Sequence, residues 1–221
     1  SQFILTIVDN ENLPTVDFLS SSFSLLEGDS GDEENLEVVL TLSQASVQSV
    51  IVNVETSVET GDTASVCNDF LSTSQQVVWV SGNFSNKTVN IPILGDDLTE
   101  GDETFTVNLS LEPNVYAVLG PNQPATCTIE DNEAAPVVDF SSATYSIAEG
   151  DSGSLNLTIT VDLTGQSVSP ISVDYATSIE GTDTAESSDF TETSGTLNWV
   201  SMGTGSKTFD IPILGDDVYE G

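Results

Sequence analysis

The residues of this chain equipped for chemistry are carboxylates, and they come in groups. Glu27 and Asp29 stand together, Asp62 and Asp69 follow, then Asp96, Asp97, Glu100, Asp102 and Glu103, and finally Asp131 and Glu133. Four separate stretches contribute, each mixed with the Gly, Ser, Asn and Thr residues of loops. Oxygen-only donors of this kind suit a hard cation. Ca²⁺ accepts about six to eight oxygens at about 2.3–2.6 Å in irregular geometry, so flexible loops can assemble its site, whereas Mg²⁺ demands a near-ideal octahedron. Carboxylates brought together without a cation repel one another, on the order of several kcal/mol at an effective dielectric of about 20. The same acids also fit a solvated surface that keeps a protein soluble through net charge.

Composition narrows the partners. Thirty-six Asp and Glu stand against two basic residues, Lys87 and Lys207, for a formal net charge of −34. Nucleic acid and anionic membrane surfaces, both polyanions, are thereby disfavoured as partners, and cations, calcium ions among them by the donor chemistry above, are the natural ones. The absence of histidine removes Ser-His and Cys-His nucleophile pairs and the usual zinc sites. Paired carboxylates of the glycosidase type remain available in form. Their recurrence in each copy of a repeat points to ion ligands and not to an enzyme.

That repeat is long. Pro14-Thr15-Val16-Asp17-Phe18 and Glu27-Gly28-Asp29-Ser30-Gly31 return as Pro136-Val137-Val138-Asp139-Phe140 and Glu149-Gly150-Asp151-Ser152-Gly153, an offset of 122. Ile91-Pro92-Ile93-Leu94-Gly95-Asp96-Asp97 returns as Ile211-Pro212-Ile213-Leu214-Gly215-Asp216-Asp217, an offset of 120. A period of this length describes a domain in tandem, since solenoid units run to about 20–50 residues. Residues 12–133 are expected to form one complete domain and 134–221 a second that lacks its last strands. Residues 1–11 match the end of the first copy and are expected to be the last strand of a preceding one, in a window on a longer array.

The positioning elements follow from period-two patterning. Leu36, Val38, Leu40 and Leu42 alternate with more polar neighbours, as do Leu155, Leu157, Ile159 and Val161, so each set is expected to face a core. Val50–Val54, Val77–Val80, Thr88–Leu94, Phe105–Leu111 and Ala125–Ile129 are further strands. About seven short strands per copy, with turn residues between, predict an all-β chain of tandem immunoglobulin-like antiparallel β-sandwiches. Trp79 and Trp199, in phase with Val77 and Leu197, are expected inside and not on a sugar-binding platform. Asp17 and Asp139 read as structural turn or edge residues, and the two lysines as ion-paired or surface strand residues. Cys127 reads as a buried thiol and Cys67 as a loop residue, with a disulfide between them possible only if their Cα atoms approach within about 7 Å.

Leu26-Glu27-Gly28-Asp29, the stretch from Asp62-Thr63-Ala64 to Asn68-Asp69-Phe70, and above all Ile93-Leu94-Gly95-Asp96-Asp97-Leu98-Thr99-Glu100-Gly101-Asp102-Glu103-Thr104-Phe105 resemble the Calx-β domain. The resemblance covers essentially the whole chain. It implies a seven-stranded sandwich that binds Ca²⁺ where the acidic loops meet. Carried over by position, it implies Glu27, Asp96, Asp97, Glu100, Glu103, Asp131 and Glu133 as ligands in the first copy and Glu149, Asp216, Asp217 and Glu220 in the second. Asp62 and its counterpart Asp183 join them as loop candidates. Calcium-binding members carry a longer acidic run than Gly95-Asp96-Asp97 and three aspartates where this chain has Asp131-Asn132-Glu133, which implies fewer ions per domain.

Two functions follow. The first is an extracellular or cell-surface module, a calcium-stiffened rod or filament whose partners are neighbouring repeats, a homopolymer or a matrix component. The alternative is a pair of calcium-sensing regulatory domains of a membrane transporter, as in sodium–calcium exchangers. Sensors work near micromolar Ca²⁺ and extracellular modules near 10⁻⁴–10⁻³ M.

Overall fold

The computed structural model describes residues 2–6, 8, 10–113, 115–181 and 184–217. Among them are strands and turns but no helix, and so none long and apolar enough to cross a membrane. The chain divides into two compact units, residues 1–96 with 101–132 and residues 97–100 with 133–221.

The first unit is a sandwich of two sheets. Its strands are β1 Thr15–Phe18, β2 Ser22–Leu26, β3 Glu33–Leu42, β4 Val50–Ser57, β5 Ser74–Trp79, β6 Lys87–Leu94, β7 Glu103–Leu111, β8 Val118–Leu119 and β9 Ala125–Glu130. One sheet has the order β6-β3-β1-β8 and the other β2-β9-β7-β4-β5. The alternation expected from sequence is the alternation of burial: Leu36, Val38, Leu40 and Leu42 are buried, as are Val50, Val52 and Val54 across from them. Trp79 is 1% exposed and its indole Nε1 donates to the Ser85 carbonyl at 2.7 Å, which satisfies the one polar atom the ring carries inward. The Phe70 and Phe105 rings stack with centroids 4.1 Å apart, both fully buried.

Most pairings are antiparallel, as a sandwich of this kind requires, but two are not. β1 pairs parallel with β8, and β2 pairs parallel with β9. The reason lies at Leu19–Ser21, where the leading strand leaves one sheet and enters the other, so that its first half lies between β3 and β8 and its second half forms the edge beside β9. Asp17 secures the first half. Its Oδ1 accepts the Asn122 amide at 3.0 Å, while Asn122 Nδ2 donates to the Phe18 carbonyl at 2.9 Å.

The second unit contains β10 Val137–Phe140, β11 Gly153–Thr164, β12 Ile171–Ala176, β13 Ser194–Trp199 and β14 Gly205–Gly215. β10-β11-β14 form one sheet and β12-β13 a second. Its buried core is small, with Val161, Leu163, Leu197 and Trp199 joined by partly buried Tyr175 and Phe209, whose rings stack at 3.8 Å. Trp199 repeats the Trp79 arrangement through a 2.9 Å bond to the Gly205 carbonyl, and Lys207 Nζ lies 5.8 Å from its ring centroid. One expectation fails. Leu155 is 48% exposed, because it occupies the place that Glu34 holds in β3, near the start of the strand and beyond the small core.

Both cysteines are free thiols, Cys67 exposed and Cys127 fully buried. Burial, with a smaller contribution from the negative charge of Asp62, pushes the Cys127 thiol up to about 12. Only one thiol is therefore expected to react with a thiol reagent in the native protein, and both in denaturant. Because the folded thiol keeps its proton where the unfolded one loses it, stability contributed by Cys127 is complete below about pH 9 and falls as pH rises toward about 12. Chemical denaturation across that window checks this: Cys127→Ala should show a shallower alkaline decline than the parent.

Candidate metal centre

Strand ends gather the acids. Leu26 of β2 lies opposite Glu130 of β9, Glu103 of β7 opposite Ile129, and Glu33 of β3 opposite Leu94 of β6. Five strands thus begin or end together. The Glu27 amide donates to the Glu130 carbonyl at 3.2 Å, extending the β2–β9 ladder by one step, so Glu27 leaves β2 beside Asp131 as it leaves β9. Glu27, Asp131 and Glu133 each bring a carboxylate oxygen within 4.8 Å of the other two. Asp131 and Glu133 share a face by period-two alternation. Asn132, between them, accepts the Gly28 amide on its Oδ1 at 2.9 Å.

A second group comprises Asp69, Glu100 and Glu103, again with oxygens within 4.8 Å of one another. Asp69 sits in the turn before β5, where its carboxylate accepts the Ser65 amide and hydroxyl and its carbonyl accepts the Leu94 amide at 2.9 Å. The next residue, Phe70, and Phe105, two beyond Glu103, are the stacked ring pair, so core packing fixes both acid-bearing segments.

Both groups fit a hard divalent cation. Two oxygens bound to one Ca²⁺ at about 2.3–2.6 Å lie no more than about 5 Å apart, and the observed limit of 4.8 Å satisfies this. Glu27 is 4% and Asp69 7% exposed. At 4.8 Å and an effective dielectric of about 20, each pair of like charges repels by about 3.5 kcal/mol. A cation at the centre reverses the sign of that interaction.

Gly95 brings the loops this close. A methyl group there would lie 2.5 Å from the Gly28 carbonyl oxygen and 2.7 Å from that of Asp29, so no other residue allows the β6 exit to lie against the loop after β2. Gly215 stands in the same relation to Gly150 and Glu149, at 2.5 and 2.9 Å.

Of the acids named from sequence, Glu27, Glu100, Glu103, Asp131 and Glu133 fall into these groups. Asp62 does not: its carboxylate accepts the Thr106 hydroxyl at 2.9 Å and the Glu59 amide at 2.8 Å. Asp96, half-buried, and Asp97, exposed, follow Gly95 and lie outside both groups. Asp69, a loop acid outside the ligand set that the resemblance implies, joins the second group. Its signal was the Asn68-Asp69-Phe70 run, echoed by Ser188-Asp189-Phe190. In the second unit Glu149 is half-buried and Asp216 and Asp217 are exposed, while Asp183 and Glu220 lie outside the described residues.

A family model of the Calx-beta domain matches residues 9–133 and again residues 131–221. The chain belongs to the Calx-beta domain family. It is similar to sodium/calcium exchanger 1 of Canis lupus familiaris, at 29% identity over 72% of this chain and 17% of the exchanger. It is also similar to the extracellular matrix organizing protein FRAS1 of Mus musculus, at 35% identity over 37% of this chain and 2% of that protein. Among solved structures, CBD12 from CALX1.2 aligns over 90% of this chain and 74% of its own, at 21% identity with a TM-score of 0.47. The chain thus spans a small part of the length of these curated relatives. Calx-beta domains bind Ca²⁺, and the two acidic groups supply an all-oxygen donor set suited to it.

Within this Calx-beta chain, the close approach at Gly95 is testable apart from any ion. Gly95→Ala is expected to lower stability by about 1–3 kcal/mol, as overpacking against backbone does. Gly181→Ala, with nothing within 4 Å, serves as the control and should stay within about 0.5 kcal/mol of the parent. Denaturant melts of the two variants decide it.

Proposed function

We propose that the chain is a calcium-responsive module in which Glu27, Asp131 and Glu133 hold one ion and Asp69, Glu100 and Glu103 another. Asp96 and Asp97 contribute charge nearby. In the second repeat Glu149, Asp183, Asp216, Asp217 and Glu220 are the corresponding acids. The observation that carries the reading is the convergence of two three-carboxylate groups where five strand ends meet. One ion ties the loop after β2 to the exit of β9, and the other ties the Asp69 turn to the start of β7 and the segment before it. Calcium concentration is thereby converted into rigidity of that end.

The use best supported is regulatory calcium sensing of the kind expected in a sodium/calcium exchanger, since the likeness to that protein spans 72% of this chain. An extracellular rod or filament, with neighbouring repeats or a matrix component as partners, is the second reading. It draws on the likeness to FRAS1 and on a net charge of −34. Neither reading invokes catalysis.

A calorimetric melt in chelator and across a Ca²⁺ titration tests the module, because a ligand that binds only the native state raises its melting temperature with concentration. A rise is expected, and Glu27→Gln or Glu103→Gln should cut that rise by more than either changes the melt in chelator. Half-saturation near 10⁻⁷–10⁻⁵ M supports the sensor, and near 10⁻⁴–10⁻³ M the extracellular module. A melt indifferent to calcium up to about 10 mM, far above both ranges, would overturn the proposal.

A further inference from the structure

Four Asn-X-Ser/Thr tripeptides, beginning at Asn83, Asn86, Asn108 and Asn156, belong to neither calcium group. Such a tripeptide is the acceptor for an N-linked glycan in a chain that passes through a secretory pathway. Three of the four carboxamides are engaged within the fold. Asn83 Oδ1 accepts the Ser85 amide at 3.0 Å and the Ser85 hydroxyl at 2.9 Å. Asn108 Nδ2 donates to Ser57 Oγ at 2.8 Å, from β7 to β4, and Asn156 Nδ2 donates to Asp210 Oδ2 at 3.1 Å, from β11 to β14. Asn86 stands exposed at the entry to β6.

The run Phe84-Ser85-Asn86-Lys87-Thr88 places an aromatic ring two residues before this acceptor and the hydroxyl of its tripeptide two residues after it. Alternate positions share a side of an extended chain, and Phe84, Asn86 and Thr88 are all exposed. Phe84 is 56% exposed and lies outside the core that Trp79 helps to fill. A sugar ring has an apolar face of C–H groups, and an exposed aromatic ring beside the attachment point is a platform for it. The second repeat supplies the contrast. Counted from Lys207, the match of Lys87, Phe84 becomes Thr204 and Asn86 becomes Ser206, so the ring and the acceptor are replaced together. The loop also stands clear of the calcium groups, because the whole length of β6, Lys87–Leu94, separates it from Gly95.

We propose that Asn86 carries an N-linked glycan whose first sugar lies on the Phe84 ring. This rests on the extracellular reading, since only a chain that enters the secretory pathway meets the donor. Asn86 Nδ2 gives up one proton and bonds to the sugar C1 of a lipid-pyrophosphate-linked oligosaccharide. The lipid pyrophosphate leaves with the electron pair of the broken C–O bond. The glycan covers an aromatic side chain that otherwise faces water, at the end of the sandwich away from the acids.

Intact mass and glycopeptide mapping test the site, in the chain secreted from a glycosylating cell and in the protein isolated from its own source. Both are expected to carry a glycan at Asn86 that peptide N-glycosidase removes. Asn86→Gln and Thr88→Val, at exposed positions that leave the fold intact, should lose it from the secreted chain. The secreted glycoprotein should melt above Asn86→Gln, and that difference should disappear in a Phe84→Ala background. An unmodified Asn86 in the secreted chain faults the site itself, and one found only in the source protein faults the extracellular reading beneath it. Either result, or a melting difference unchanged by Phe84→Ala, overturns the proposal.

Discussion

The meeting of Glu27 and Asp131 depends on β2 running parallel to β9. Antiparallel neighbours would carry the residues after their last hydrogen bonds to opposite ends of the sheet. Parallel ones deliver them side by side, and so Glu27 emerges next to Asp131. The pairing exists because the leading strand changes sheets at Leu19–Ser21, its first half lying on β3 and its second on β9. Asn122, bonded both to Asp17 and to the Phe18 carbonyl, anchors the first half just before the crossing. Asn132, whose side chain accepts the Gly28 amide, fixes the second half just after its end.

Holding like charges together requires a scaffold that does not yield. The fully buried Phe70–Phe105 stack supplies one part, since the residue before Phe70 is Asp69 and Glu103 stands two positions before Phe105. The backbone at neither acid can shift far without disturbing two aromatic rings, whose loss elsewhere costs about 3–5 kcal/mol. That is comparable with the repulsion of about 3.5 kcal/mol between one pair of charges at 4.8 Å, the outer limit of their separation. The close approach at Gly95 supplies another part through backbone contact, which has no side-chain freedom to relieve it.

Much of this was legible in the sequence, where it depended on local pattern. Alternation marked the inward faces of β3, β4 and β9, and the phase of Trp79 with Val77 put the indole in the core. The sandwich followed from strand number and turn residues, and the acid runs marked the calcium chemistry of the family. What was not legible depends on pairing between residues far apart. Nothing local reveals that the leading strand divides between sheets. Asp62 and Asp69 flank one loop and look equivalent as residues, yet Asp62 is turned toward the hydroxyls of Thr104 and Thr106 while Asp69 meets Glu100 and Glu103. Leu155 continues an apolar alternation past the point where a facing sheet exists to bury it.

The two units share the loop geometry around the centre. The second unit repeats the contact of Gly215 with the Gly150 loop, and the turn in which Asp189 accepts the Leu214 amide on its carbonyl at 2.8 Å, as Asp69 accepts that of Leu94. It does so although, among its described residues, no strand corresponds to β7 or β9. In both units these loops follow the same long antiparallel pair, β11 with β14 in the second and β3 with β6 in the first. Among the described residues the second unit has no group of three acids. In the first repeat β7 begins with Glu103, and Asp131 and Glu133 follow the end of β9, so these two strands place three of the six grouped acids. The centre thus draws on two parts of the sheet: the β3–β6 pair shapes the Gly95 approach, and the ends of β7 and β9 place the acids.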